Sequence, residues 1–384
     1  MDKLARLGCP AVLAAAALTG LGAWSDPGPF ETRAPRALGR EAVDLYNSAC
    51  ADALRGDADR AAAHLLGSVK AGFNDFSHMR RDPDLRGLRE HPVFRAIVAA
   101  REAADEQLAR RNLQRWRQRL DPGRYRFETD EKRRLVYASA LDEAAHRDMR
   151  RMLSDLSAHL DQSLFAPPSA GVGARGRVLV VVPSDRDAAR LLTEANTAGV
   201  YYHSRRELIA ADPHRALRHE FVHALHHRHM DAVGQEHAAW IQEGLAALYE
   251  EYRLDPDGDV RFAPNDREPL TRMLATTGRL IPWRDLAAMR PDAVRADAAR
   301  AYPQLRSIFR YIADQDRLAA WYETYVDGFE DDPTGVTALE VALGRPVDEL
   351  ERQWRRWLDR RPPPAAGGEA AAADRVVRPD AEQG

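Results

Sequence analysis

Cysteine is almost missing from this sequence. Its 384 residues hold two, Cys9 and Cys50, which rules out a disulfide framework and leaves stability to packing. Lysine is nearly missing too, at positions 3, 70 and 132 only, and arginine carries the rest of the basic charge. That bias is compositional and has no functional weight. No sign of charge prevails, since 56 basic and 59 acidic residues leave a formal net charge of -3. No global field therefore draws the chain to nucleic acid or to an anionic membrane. Long apolar runs are also lacking: the one from Ala11 to Trp24 is too short to cross a bilayer as a stable helix. What is present, 45% hydrophobic and 30% charged residues, suits a globular protein with one sizeable core and room for a second domain.

The short apolar run does fit an export signal. Lys3 and Arg6 precede it, and Ala23-Trp24-Ser25 offers a small-x-small cleavage site. Residues 1–25 are thus expected to be a signal peptide, which places the mature chain in the periplasm, cell envelope or medium. An uncleaved anchor is the alternative. Cys9 lies ahead of the run, badly placed for lipidation, and only Cys50 would remain after cleavage. The mature chain is expected to have no transmembrane span.

Beyond that start the chain reads as helices, then mixed elements, then helices again. Ala42, Leu45, Tyr46 and Ala49 recur at helical spacing, Gly56-Asp57 makes a turn, and Ala61, Leu65, Leu66 and Val69 resume the period. This stretch resembles a tetratricopeptide (TPR) repeat, with Ala49 and Ala61 where the helices must approach closely. The region 38–101 is therefore expected to be TPR-like. One hairpin is fewer than the three or so units of a solenoid, so a cap on the next domain and a protein-binding groove both stay open. Residues 102–122 form a basic helical linker containing Trp116, read as a solvated helix in preference to a nucleic-acid face. Then come a strand at "YRFET", a long amphipathic helix over 131–163, a buried strand at "RVLVVVPS", and a strand pair or bent edge strand at "GVYYHSRRELIA". Residues 298–360 are helical, and 362–384 form a low-complexity tail that cannot bury enough surface to order itself.

The chemistry concentrates in "LRHEFVHALHHRHM", residues 217–230. His219 and His223 are four apart on a helix expected over 216–230, so they share a face about 6 Å apart along the axis. Both imidazoles can reach one tetrahedral ion. Glu220 sits about 100° round the helix, where it borders the ion and can hold a metal-bound water without ligating the metal. This is the His-Glu-x-x-His zinc arrangement.

A catalytic zinc needs a third protein ligand. His229 follows His219 by ten residues, the spacing of the metzincins, but that family turns the chain back with a glycine where this chain has His226. On a continuing helix, His229 would lie about 9 Å beyond His223 along the axis and point away from the ion. Glu243 fits better. Nineteen residues separate it from His223, enough for a turn and an antiparallel return, and a carboxylate among Trp240, Ile241, Leu245 and Leu248 would be costly to bury without a cation.

"WIQEGLA", residues 240–246, closely resembles the Trp-x-x-Glu-Gly-x-Ala signature of the gluzincin metallopeptidases. Over roughly Tyr125 to Arg360 the chain is similar to the peptidase MA-like group within them. The resemblance implies an α+β, zincin-like peptidase domain over 123–361: a small mixed sheet, an active-site helix and a helical C-terminal part, preceded by the TPR-like hairpin. It implies Zn2+ held by His219, His223 and Glu243, with Gly244 letting the two motif helices approach closely. It also implies Tyr302 as the tyrosine that steadies the tetrahedral intermediate, and a core tyrosine is the equal alternative. Two departures stand out. The aminopeptidases' Gly-x-Met-Glu-Asn motif is missing, and the thermolysin aspartate position is Ala247 here, with Asp231 and Glu236 as possible substitutes. The expected function is hydrolysis of peptide or protein substrates through a zinc-bound water, with Glu220 as general base. The rival is a non-catalytic envelope protein that uses the hairpin to bind a partner.

Overall fold

The computed structural model describes residues 40–73, 76–166, 176–192, 198–255 and 259–360. The expected signal peptide and the low-complexity tail lie outside them. The chain is a mixed α+β protein, mostly helical with a small sheet, and it divides into two compact units, 1–237 and 238–384. The division falls inside the 123–361 stretch expected as one peptidase domain. Among the described residues no helix is long and apolar enough to cross a membrane.

The first unit opens with helices α1 (Arg40–Leu54) and α2 (Ala58–Lys70). Gly56, at φ +80°, makes the turn between them, and the Asp57 side chain accepts a hydrogen bond from the amide of Arg60 at the start of α2. Ala49 and Ala61 are fully buried, as close helix approach requires. Short helix α3 (Phe76–Arg81), the 3₁₀ turn Pro83–Leu88 and the start of α4 (Pro92–Arg119) complete this hydrophobic cluster with Leu85, Leu88, Phe94 and Ile97. The hairpin's apolar face is therefore spent on its own core. Helix α4 runs unbroken across residue 101, the expected boundary with the linker.

Five strands form the sheet: β1 (Arg126–Asp130), β2 (Leu135–Ser139), β3 (Val178–Val182), β4 (Gly199–Tyr202) and β5 (Glu207–Ala210), in the order β1-β2-β3-β5-β4. The pairs β2–β3 and β3–β5 are parallel, and both edge pairs are antiparallel. The long helix expected over 131–163 is corrected. Leu135–Ser139 is a central strand, and helix α5 (Glu143–Gln162) starts only after Asp142, whose carboxylate accepts from the amide of Ala145. Every residue of β2 is buried, because α4 covers one face of the sheet and α5 the other. On the α4 side, Trp116, Leu120, Val136, Val181 and Ile209 share one cluster. The basic helix is thus packed on the sheet and not merely solvated. Trp116 Nε1 donates to buried Glu207 at 3.1 Å, and the guanidinium groups of Arg115 and Arg205 flank the same carboxylate.

After β3 and a short helix α6 (Asp185–Leu191), the segment 199–210 is a strand pair, with β4 at the sheet edge. Helix α7 (Arg215–Val233) then packs against β4 and β5 and ends at Gly234 in the left-handed region.

The second unit holds α8 (Ala239–Leu248), a hairpin of β6 (Tyr252–Leu254) and β7 (Val260–Phe262), and a helical assembly. The assembly comprises α9 (Arg267–Thr276), α10 (Trp283–Ala288), α11 (Pro291–Ala296), α12 (Ala298–Ala313), α13 (Leu318–Asp327), α14 (Val336–Leu343) and α15 (Val347–Arg360). Its core is aromatic. Trp240, Phe309, Trp321 and Tyr325 meet at ring separations of 5.3 to 6.1 Å, and buried Trp354 packs on Trp283.

Candidate metal centre

Helix α7 begins where Asp212 accepts hydrogen bonds from the amides of His214 and Ala216, satisfying donors of the first turn. Leu217, Phe221, Val222, Ala224 and Leu225 are buried, so the helix is anchored on its apolar side. That leaves His219, Glu220 and His223 half-buried on the remaining surface. The two imidazoles stand edge to face, with Nε2 atoms 3.2 Å apart. Two nitrogens bound tetrahedrally to one zinc at about 2.0–2.1 Å would be separated by roughly 3.3 Å. The spacing of the pair fits a shared zinc ion, and imidazole nitrogen is a donor of the kind that metal prefers.

Glu220 projects toward the sheet edge. Alternation along β4 turns Gly199 and Tyr201 to the side of α7, while Val200 and Tyr202 join the α4 cluster. Gly199 lies beside the Glu220 stem, and Tyr201 lies 5.6 Å from the His227 ring. Ala216, Glu220, His223 and His227 follow one another at spacings of four, three and four, a single stripe of α7.

His229 stands elsewhere. The helix is unbroken through it to Val233, and its ring lies 5.6 Å from Phe165. The turn-back that the metzincin geometry needs does not occur. Four more histidines, His203, His226, His227 and His237, form two small groups. Buried His226 stacks on Phe165 and meets His237 at 2.7 Å, and His237 reaches Gln235 at 2.9 Å. Burial, then the charges of neighbouring histidines, hold the His226 ring well below its ordinary pKa, so it is neutral at pH 7. His227 is lowered likewise by burial and stacks on His203 at 4.3 Å. Burial would raise the Asp231 carboxyl, yet the hydrogen bond and charge of His203 and the charge of Arg206 bring it down to about 2. Glu236 is exposed.

In the second unit, Glu243 lies on α8 with Oε2 buried, and Trp240, Ile241, Leu245 and Leu248 on the same helix are buried too. Gly244 lies against α12. A Cβ there would come within 2.2 Å of Phe309, so this glycine lets α12 pack on α8. Tyr302 is half-buried near the start of α12, with the Arg267 guanidinium 5.3 Å from its ring centre. Arg267 is held by buried Glu250 through bonds of 2.7 and 3.0 Å. The helices that carry Glu243 and Tyr302 pack directly on each other.

No protein-family model and no curated protein matches this chain.

Function therefore rests on the side chains. Sequence periodicity could place His219, Glu220 and His223 on one surface, because their relation is local to a single helix. It could not reveal the Gly199–Glu220 approach or the His226–His237 contact, which depend on where the chain returns. The one available signal was a glycine opening a strand of otherwise β-branched and aromatic residues.

Proposed function

We propose that this chain is a zinc-dependent metallopeptidase of the gluzincin, peptidase MA-like kind, with His219, His223 and Glu243 as metal ligands and Glu220 as general base. The observation that carries the reading is the 3.2 Å spacing of the two imidazole nitrogens, which matches the edge of a tetrahedral zinc site. Glu243 enters as third ligand on the sequence signature around it. A connector of only five residues joins the histidine helix to the helix that bears it.

Zinc, when bound, supplies a Lewis acid that polarises a carbonyl and makes water more acidic. The protein's own groups do the rest. His219 and His223 present imidazole nitrogens from a helix locked by its buried side. Glu220 removes the proton of the attacking water and returns it to the leaving amine. β4 is the last strand of the sheet, and an extended peptide can lie beside it by strand addition. Tyr302 donates a hydrogen bond to the oxygen that gains negative charge. We place the enzyme outside the cytoplasm because of the basic start, apolar run and cleavage site of residues 1–25. N-terminal sequencing of envelope or secreted protein tests that placement, and an intact Met1 in a cytosolic fraction would contradict it.

The deciding experiment compares wild type with Glu220→Gln on a broad peptide library, with a chelator control. Gln keeps size and hydrogen bonding but cannot take a proton. Cleavage should fall about 10²- to 10⁴-fold while zinc content stays near that of wild type. Equal cleavage by the zinc-loaded variant would refute the mechanism. A zinc-loaded wild type that cleaves nothing would favour an envelope scaffold that binds partners through the α1–α2 hairpin.

A further inference from the structure

The edge strand and the histidine helix come close together at Gly199. A Cβ built on this residue would lie 2.8 Å from Glu220 Cγ, well inside the roughly 3.5–4.0 Å at which carbon atoms rest. It could not retreat, because the carbonyl oxygen of Ile209 lies 3.3 Å away on one side and the Ala216 methyl 3.5 Å on another. Backbone pairing with β5 fixes Gly199 opposite Ala210, so the strand itself cannot slide. Of the three neighbours, only the Glu220 side chain can move. Gly199 is not marked by a left-handed φ, so its lack of a side chain must be explained by space and not by backbone conformation.

We propose that Gly199 is a positioning residue for Glu220: its bare Cα forms the wall against which the Glu220 stem rests and thereby sets where the carboxylate stands. This rests on the reading of Glu220 as general base. Any side chain at 199 would swing the carboxylate away while leaving His219 and His223 untouched. Displacement of a reacting group by about 1 Å can cost 10²-fold in rate.

The test is Gly199→Ala, read in two independent ways. In the zinc-loaded enzyme, kcat should fall at least tenfold, with KM and zinc content close to wild type. Unchanged kcat in an enzyme whose Glu220→Gln variant is impaired would overturn the positioning role while sparing the peptidase reading. The second readout needs no activity. Gly199→Ala should lower Tm of the metal-free protein in the wild-type background, and the loss should largely disappear in a Glu220→Ala background, where the clashing Cγ is gone. An equal Tm loss in both backgrounds would overturn the contact, whether or not the protein cleaves peptides. If Gly199→Ala folds poorly alone, recovery of folding in the Gly199→Ala/Glu220→Ala double variant supports the proposal, and continued misfolding opposes it.

Discussion

All thirteen histidines lie in residues 1–237, whereas five of the seven tryptophans lie in 238–384. The two units accordingly solve the burial problem in different ways. In the first, many ring contacts involve histidine: Phe165 on His226, Tyr201 beside His227, His203 on His227, His219 against His223. In the second, indole, phenyl and phenol rings meet one another around Trp321. An imidazole is a smaller apolar body with two polar nitrogens, so each one buried needs a partner and must stay neutral. The contrast teaches that the first unit buries rings whose charge depends on pH, whereas the second buries rings whose packing does not.

The largest expected effect sharpens this contrast at the metal. Zinc should bind at about one ion per chain. His223→Ala and Glu243→Ala should each lose most of it, and His229→Ala should retain it. Elemental analysis decides, and retention in Glu243→Ala with loss in His229→Ala would overturn the ligand set. Next, Trp321→Ala should break the aromatic core. The side chain is fully buried among Trp240, Phe309 and Tyr325, so about 3–5 kcal/mol of stability should go, measurable by urea denaturation of the second unit. A loss under about 1 kcal/mol would show that this cluster does not hold the unit together.

Acid should separate the units. His226 has a folded pKa depressed well below the unfolded value near 6.5. The folded state then binds fewer protons, so its stabilising effect is full above about pH 6.5 and shrinks as pH falls below it. One such histidine makes stability fall by up to about 1.4 kcal/mol per pH unit. Hydrogen exchange of the metal-free protein at pH 7 and pH 5 should show the first unit losing protection, with the second, which has no histidine, little changed. His226→Leu should flatten the dependence; an unaltered slope would remove His226 as its source. The smallest effect is expected at the surface. Arg147 and Glu143 pair at 2.8 Å but are both mostly exposed, so Arg147→Ala should cost no more than about 0.5 kcal/mol in a denaturation curve.

Legibility in the sequence followed the range of the interaction. The hairpin of α1 and α2, the buried strand β3, the strand pair at 199–210 and helix α7 each announce themselves through local periodicity and turn residues. Leu135–Ser139 did not. It is short, apolar on both faces and followed at once by an amphipathic helix, so the pattern merges with the helix next to it. Trp116 was misread for a related reason. Ala109, Leu113, Trp116 and Leu120 form a stripe at helical spacing, but the arginines around it hide that the sheet covers it.

The sequence by itself determined that His219, Glu220 and His223 stand together, because one helix with 3.6 residues per turn leaves them no other arrangement. It likewise determined that Glu243 and Gly244 belong to an apolar helix. Only the tertiary structure decided what each of these residues faces: Gly199 beside the Glu220 stem, Phe165 near His229, and Phe309 against Gly244. The physical reason is that periodicity records which side of an element avoids water. The group that covers that side is chosen by packing, among residues far away along the chain.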